Sequence, residues 1–116
     1  MVNIAEYSNP KNGAKVLVGK TSRDNDILTF EIADLDDIWF HVSNYAGAHV
    51  VLKSTNMCNP EEDILYAAGF AAKNSKAPKG EKVRVDYCMV HEVEKPKCAA
   101  SGSVNVRNPK QIYVKI

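Results

Sequence analysis

This sequence predicts an α+β domain: a mostly antiparallel sheet of six or seven strands, with one main helix packed on one face. Three observations carry that expectation. Short stretches that alternate apolar and polar residues, separated by turn residues, fill both halves of the chain. One segment alone, starting at Pro60, keeps small and apolar residues at helical spacing. That segment lies between two groups of strands instead of alternating with them, which favours antiparallel pairing over crossover units. A chain of 116 residues is expected to form one domain.

The elements follow in order. Val2 to Tyr7 and Lys15 to Gly19 read as strands, joined through a loop that holds the Asn12-Gly13 turn signal. Gly19 to Asp26 is polar and reads as a loop. Ile27 to Ile32 reads as a strand with Leu28, Phe30 and Ile32 on one face, and Asp34 to Asp37 turns into the next. Ile38 to Val42 and Ala48 to Leu52 form a hairpin around Ser43 to Gly47. The helix is expected from about Pro60 to Lys76. Asn59 caps it, Pro60 suits its first position, and Glu61, Glu62 and Asp63 complement its amino-terminal dipole. Ile64, Leu65, Ala68, Ala71 and Ala72 make its apolar stripe, and Pro78 and Gly80 stop it. The small residues let it lie close against the sheet. Val83 to Asp86 continues as a strand toward Val93 and ends at Lys95-Pro96. Ser103 to Arg107 and Gln111 to Ile116 read as a closing hairpin around Asn108 to Lys110.

Composition narrows the function classes. The chain is 45% hydrophobic and 25% charged, as in an ordinary globular domain. It shows neither a membrane-length apolar run nor the basic-then-apolar start of a signal peptide, so cytoplasm or nucleus is the expected compartment. Cys58, Cys88 and Cys98 are isolated, which argues against a disulfide framework or a zinc site, and no metal or other cofactor is expected. Net charge is only +1, but residues 60–116 carry ten basic and seven acidic side chains, against five and seven in residues 1–59. Lys73, Lys76, Lys79, Lys82 and Arg84 supply that excess in a short span.

The richest chemistry lies in Asp37-Ile-Trp-Phe-His41 and Gly47-Ala-His-Val-Val51. Alternation puts Ile38, Phe40 and Val42 on the core face and Trp39 and His41 on the other. An antiparallel hairpin adds His49 to that second face, which is expected to be open. An indole and two imidazoles there suit a flat ring or a nucleotide. Alternatively, Trp39 closes an edge of the core and the histidines are hydrogen-bonded to backbone. An enzyme would pair His41 or His49 with Asp37 or Asp86, with His91 as a third candidate, as in a metal-free nuclease. The chain offers no nucleophile motif. Gly19-Lys20-Thr21 lacks the spacing and the following helix of a phosphate loop.

The chain resembles the NFACT-R family, the RNA-binding domain of ribosome quality-control factors. The matching segments are Val18-Gly19-Lys20, Asn25 to Thr29, Asp37 to His41, Gly47 to Val51, and Ala67-Ala68 through Ala71-Ala72 to Ser75-Lys76. Val85-Asp-Tyr87, Lys95-Pro96, Gly102-Ser-Val104 and Ile112-Tyr-Val114 complete the pattern. Lys95-Pro-Lys-Cys98 and Ser101-Gly102 depart from it, so that loop is expected to differ in shape or charge. The resemblance implies a non-catalytic module that binds ribosomal RNA or tRNA, with the ribosome as a partner, DNA as an alternative ligand and no membrane. The expected contacts are Trp39, His41, His49 and Ser75, together with Lys53, Lys73, Lys76, Lys95 and Lys97 on one basic surface. A protein-interaction adaptor using the open sheet face is the remaining class.

Overall fold

The alternating stretches pair as strands. The computed structural model describes residues 3–54 and 60–116. In chain order it contains β1 (Ile4–Ser8), β2 (Lys15–Gly19), a short helix α1 (Ser22–Ile27) that runs into a π-helical turn (Leu28–Ile32), β3 (Ile38–Val42) and β4 (Val50–Leu52). The long helix α2 (Pro60–Lys73), β5 (Lys82–Met89), a 3-10 turn (Val90–Glu92), β6 (Val93–Glu94), β7 (Asn105–Val106) and β8 (Lys110–Lys115) follow. Six strands make one sheet in the order β1-β2-β4-β3-β5-β8, with every neighbouring pair antiparallel. β6 and β7 form a separate antiparallel pair.

The first sheet face is a continuous apolar layer. Val16, Val18, Phe40, Val42, Val50, Leu52 and Val85 are buried there against Ala67, Ala68, Ala71 and Ala72 of α2. The expected helix and its small-residue face are both present, although Leu65 is exposed and does not belong to the stripe. α2 ends at Lys73 rather than Lys76, because the chain turns there so that Ser75 can bridge to Gly47. Asp63, fully buried in the first turn, accepts from Asn12 Nδ2 at 2.8 Å and so ties α2 to the β1–β2 turn. The proposed cap Asn59, together with Cys58 and Val2, lies outside the described residues.

Two expectations fail. Residues 27–32 are not a strand, and the polar stretch before them is not a loop; both belong to α1 and its π-helical continuation. Thr21 Oγ1 accepts the Asp24 N–H at 3.1 Å as the helix cap. The buried positions are Asp24, Asn25, Leu28 and Thr29, which is helical spacing, while Phe30 and Ile32 are each 41% exposed. Three of these four buried residues are polar, so hydrophobic periodicity pointed to the wrong element. The carboxyl-terminal hairpin also fails: β7 pairs with β6, and β8 pairs with β5 instead.

The second sheet face is not open. Leu17, Trp39, Val51 and Cys88 on the sheet pack with Leu28, Val90 and Val93 into a second buried cluster. Its cover comes from the α1 region and from the β6–β7 region. Burial, then the charges of Glu92 and Asp86, push the Cys88 thiol up to about 12, so it behaves as a small apolar side chain.

Candidate functional site

Register brings Trp39, His41 and His49 together as alternation predicts. Trp39 lies opposite Val51, which extends to place His41 beside His49. The Trp39 and His41 rings stack at 5.9 Å, and His49 meets them edge-on at 5.2 and 5.5 Å. Trp39 is 2% exposed and His49 1%, while His41 is half-buried, and the three line a hollow of about 580 Å³ together with Asp86, Gly102 and Val104. His49 Nδ1 shares a hydrogen bond of 3.0 Å with the Thr29 hydroxyl, and its backbone N–H donates to Asn25 Oδ1 at 3.0 Å. Trp39 Nε1 and Ser43 Oγ are buried without a hydrogen-bond partner among the described residues.

Burial sets the charge of both imidazoles. Desolvation, then the neighbouring His41, lowers His49 to about 4, against smaller opposing effects from Asp26 and the Gly102 and Asn25 backbones. Desolvation also lowers His41, although Asp86 and the Val42 and Gly47 backbones favour its charged form. Both are neutral at pH 7 and neutralise no phosphate there. Acid–base chemistry needs a histidine that reaches substrate, and His49 does not.

A separate polar groove lies at the end of the sheet where β2 stops and β4 begins. Gly19 to Ser22, Ala46 to Ala48 and Asn74 to Lys76 enclose a groove of about 510 Å³. Backbone bonds weld its walls: Ala48 N–H to Asn74 O at 3.1 Å, Lys76 N–H to Ala46 O at 2.8 Å, and Gly19 N–H to His49 O at 3.0 Å. Two glycines make these approaches possible. A Cβ on Gly47 would stand 2.9 Å from Ser75 Cβ, and one on Gly19 would run into Asn25 Oδ1. The Ser75 hydroxyl donates to Ala72 O at 2.7 Å and accepts from the Ala77 N–H at 3.2 Å, so it fixes the turn that follows α2. Lys20 and Lys76 line the groove and are exposed, with no carboxylate in ion-pair range among the described residues. Small residues, backbone edges and two free ammonium groups make a groove suited to a polyanionic chain.

The lysines do not form one continuous surface. Lys53 sits at the opposite end of β4 and is bound into the fold. It pairs with Asp34 at 3.0 Å and with the fully buried Asp37, whose other oxygen accepts the Ser54 N–H at 2.9 Å. Burial alone would raise the Asp37 carboxyl, yet the Lys53, Ser54 and Asp34 hydrogen bonds bring it below its ordinary value. Lys53 is raised for the same reason: its bonds to Asp37 and Asp34 outweigh desolvation. Lys95 bonds Asp26 at 3.0 Å and the Ala100 carbonyl, which anchors the 95–102 loop over α1. Gly102 N–H donates to the same Asp26 at 3.0 Å. Lys97 is exposed on that loop, and Lys73 is exposed in the last turn of α2, next to the groove. Lys20, Thr21 and Asn74 escaped the residue-by-residue reading. The signal that could have found them was the Gly19-Lys20 and Ser75-Lys76 pair of motifs, which only the strand register brings together.

Among the described residues no group of three metal-ligating side chains occurs, and no helix is long and apolar enough to cross a membrane.

A profile of the NFACT protein RNA binding domain matches residues 4–108. A Bacillus subtilis protein described as the Rqc2 homolog RqcH is 37% identical over 111 residues, covering 96% of this chain and 19% of that protein. The Streptococcus suis RqcH is 36% identical over 100 residues, covering 85% of this chain and 18% of that protein. An archaeal homolog from Methanocaldococcus jannaschii is 31% identical over 91 residues, covering 78% of this chain and 14% of that protein. The chain thus spans about a fifth of the length of the bacterial relatives. The solved carboxyl-terminal part of a fibronectin/fibrinogen-binding protein from Streptococcus suis superposes with a TM-score of 0.88 at 34% identity, covering 95% of this chain and 44% of that one.

Proposed function

Because this chain belongs to the family of NFACT protein RNA binding domains, we propose that it binds RNA through the groove between Lys20 and Lys76, as a non-catalytic module. The observation that carries the reading is convergence. Gly19-Lys20, Gly47 and Ser75-Lys76 lie far apart in the chain, yet they meet in one groove whose two lysines have no internal partner among the described residues. Lys20, Lys76 and the adjacent Lys73 would neutralise successive phosphates and release counterions. Ser75 holds the wall between them, and the His49 backbone, bonded to Gly19 and Asn25, ties the groove to the rings of Trp39 and His41. Lys97 extends the positive surface along the loop that Lys95 anchors.

The kinship with RqcH proteins supports a ligand drawn from ribosomal RNA or tRNA and a cytoplasmic role in ribosome-associated quality control, with the ribosome as partner. The modest net charge fits a focused contact inside a larger assembly. A protein-adaptor reading has less to rest on, because the second sheet face carries its own buried cluster.

The test is binding of a short single-stranded RNA, followed by fluorescence anisotropy across a salt series. Lys20→Glu with Lys76→Glu should weaken binding at least ten-fold at low salt and reduce the salt slope by about 2, one for each lost phosphate contact. Unchanged affinity and slope in a folded double variant would remove the groove from the site. Crosslinking in cells then identifies the RNA.

A further inference from the structure

A smaller hollow is lined by residues 43–45, the first half of the loop whose second half, residues 46–48, lines the groove. Ser43, Arg84 and Tyr113 form a row across β3, β5 and β8. Ser43 N–H donates to Arg84 O at 2.9 Å, and Arg84 stands opposite Tyr113 in the register. Neighbouring strands lie about 4.8 Å apart, so the outer members of this row are separated by roughly 10 Å, enough for one flat ring. Tyr45 rises from the loop beside the row, and these four residues line a hollow of about 240 Å³.

Three properties set this hollow apart from ordinary surface. Tyr113 is 60% exposed and Tyr45 is 44% exposed. Tyr7 instead stacks on Phe70 and Tyr87 on Phe40, and neither Tyr45 nor Tyr113 has such a ring partner among the described residues. The charges around the hollow are Lys82 and Arg84 against Glu81, a net cationic rim. Ser43, itself 8% exposed, also lines it, and its buried hydroxyl has no hydrogen-bond partner among the described residues. Tyrosine rings and a guanidinium plane give π-faces on which any base can stack, whatever its sequence. The hollow and the groove share a loop: Tyr45 precedes Ala46 and Gly47, which line the groove.

We propose that Tyr45, Arg84 and Tyr113 form a platform on which an unpaired nucleobase stacks. The proposal rests on the RNA-binding reading of the neighbouring groove and names the part of the ligand that leaves it. A strand whose phosphates follow Lys20 and Lys76 would pass the 43–48 loop and lay a base on this surface. A protein segment is a poorer occupant, because the rim is cationic and the hollow has no deep apolar pocket.

The experiment compares oligo(rA) with an abasic ribose-phosphate oligomer of the same length, both titrated into the full chain. Wild type should bind oligo(rA) more tightly. Tyr45→Ala with Tyr113→Ala should remove that advantage, a loss of roughly ten-fold or more, and leave abasic binding unchanged. Tyr45→Phe with Tyr113→Phe should keep it, since the rings remain. Equal wild-type affinity for the two oligomers overturns the platform while the groove stands. Equal loss on both oligomers in the alanine variant also overturns it, because the rings would then act through the fold. If neither oligomer binds, the RNA-binding reading fails and the platform fails with it.

Discussion

The two faces of the sheet are built on different principles. The face under α2 is held mainly by size and shape: Val16, Val18, Phe40, Val42, Val50 and Leu52 meet four alanines, and the buried Asp63 adds a polar tie only at the start of the helix. The opposite face buries polar side chains as well, among them Asp24, Asn25, Thr29, Asp37 and His49, with Trp39 in their midst. Much of that polarity is spent on backbone. Asn25 holds the His49 N–H, Asp37 holds Ser54 and Asp34, and Thr21 caps α1. The first face explains why the chain folds. The second explains why its loops are fixed where the groove needs them.

The difference implies opposite sensitivities. The apolar face should respond to volume, and the polar face to the loss of a partner. The largest effect is expected at Lys53. Lys53→Met keeps the bulk but leaves the fully buried Asp37 carboxylate with only backbone donors, and should cost about 3 kcal/mol or more. Urea melts measure it. A loss below 1 kcal/mol would mean that the Asp37 site tolerates an unpaired charge, and the contrast between the faces would weaken.

Acid should act on the same face. His49 is neutral in the fold with a value of about 4, whereas the unfolded chain takes up a proton near its ordinary 6.5. Between those two pH values the unfolded state binds more protons, so stability is full above about 6.5 and falls as pH drops toward 4. The loss is at most about 3 kcal/mol, and His41, lowered in the same direction, adds to it. His49→Gln should flatten this part of the stability–pH curve. An identical slope in that variant would assign the titration elsewhere.

On the apolar face, Ala68→Leu inserts a large side chain where none fits and should cost about 2 kcal/mol by overpacking. The cost should be independent of pH between 4 and 7, in contrast to the His49 effect. A neutral or stabilising outcome would show slack beneath α2.

The same contrast explains what could be read in the sequence. Period-2 alternation and the alanine stripe fix the first face, because burial there follows hydrophobicity residue by residue. Alternation also brings Trp39, His41 and His49 to one side, which only needs the β3–β4 register. It fails to show that Trp39 and His49 are buried and His41 half-buried, since their cover comes from segments far away in the chain. α1 is illegible for a physical reason: three of its four buried positions with the π turn are polar, Asp24, Asn25 and Thr29, and Asn25 and Thr29 are hydrogen-bonded to His49. The groove is legible only as separate fragments, Gly19-Lys20 and Ser75-Lys76, until Gly47 bridges to Ser75. The lysines counted toward one surface carry no mark telling a clamp such as Lys53 from a free ammonium group such as Lys76.

The smallest effect tests the link between the polar face and the groove. Thr21 caps α1 through its hydroxyl and also stands in the groove wall beside Lys20. Thr21→Ala removes one accepted hydrogen bond and should cost about 1 kcal/mol of stability. Thr21→Ser keeps the cap and should cost a few tenths. If α1 matters to binding because it holds Lys20 in place, the alanine variant should lose affinity for RNA several-fold at low salt with little change in salt slope, since no charge is removed. The serine variant should bind as the wild type does. A Thr21→Ala protein that loses the cap energy but binds RNA unchanged would separate the two roles. The polar face would then be stabilising the fold without shaping the groove.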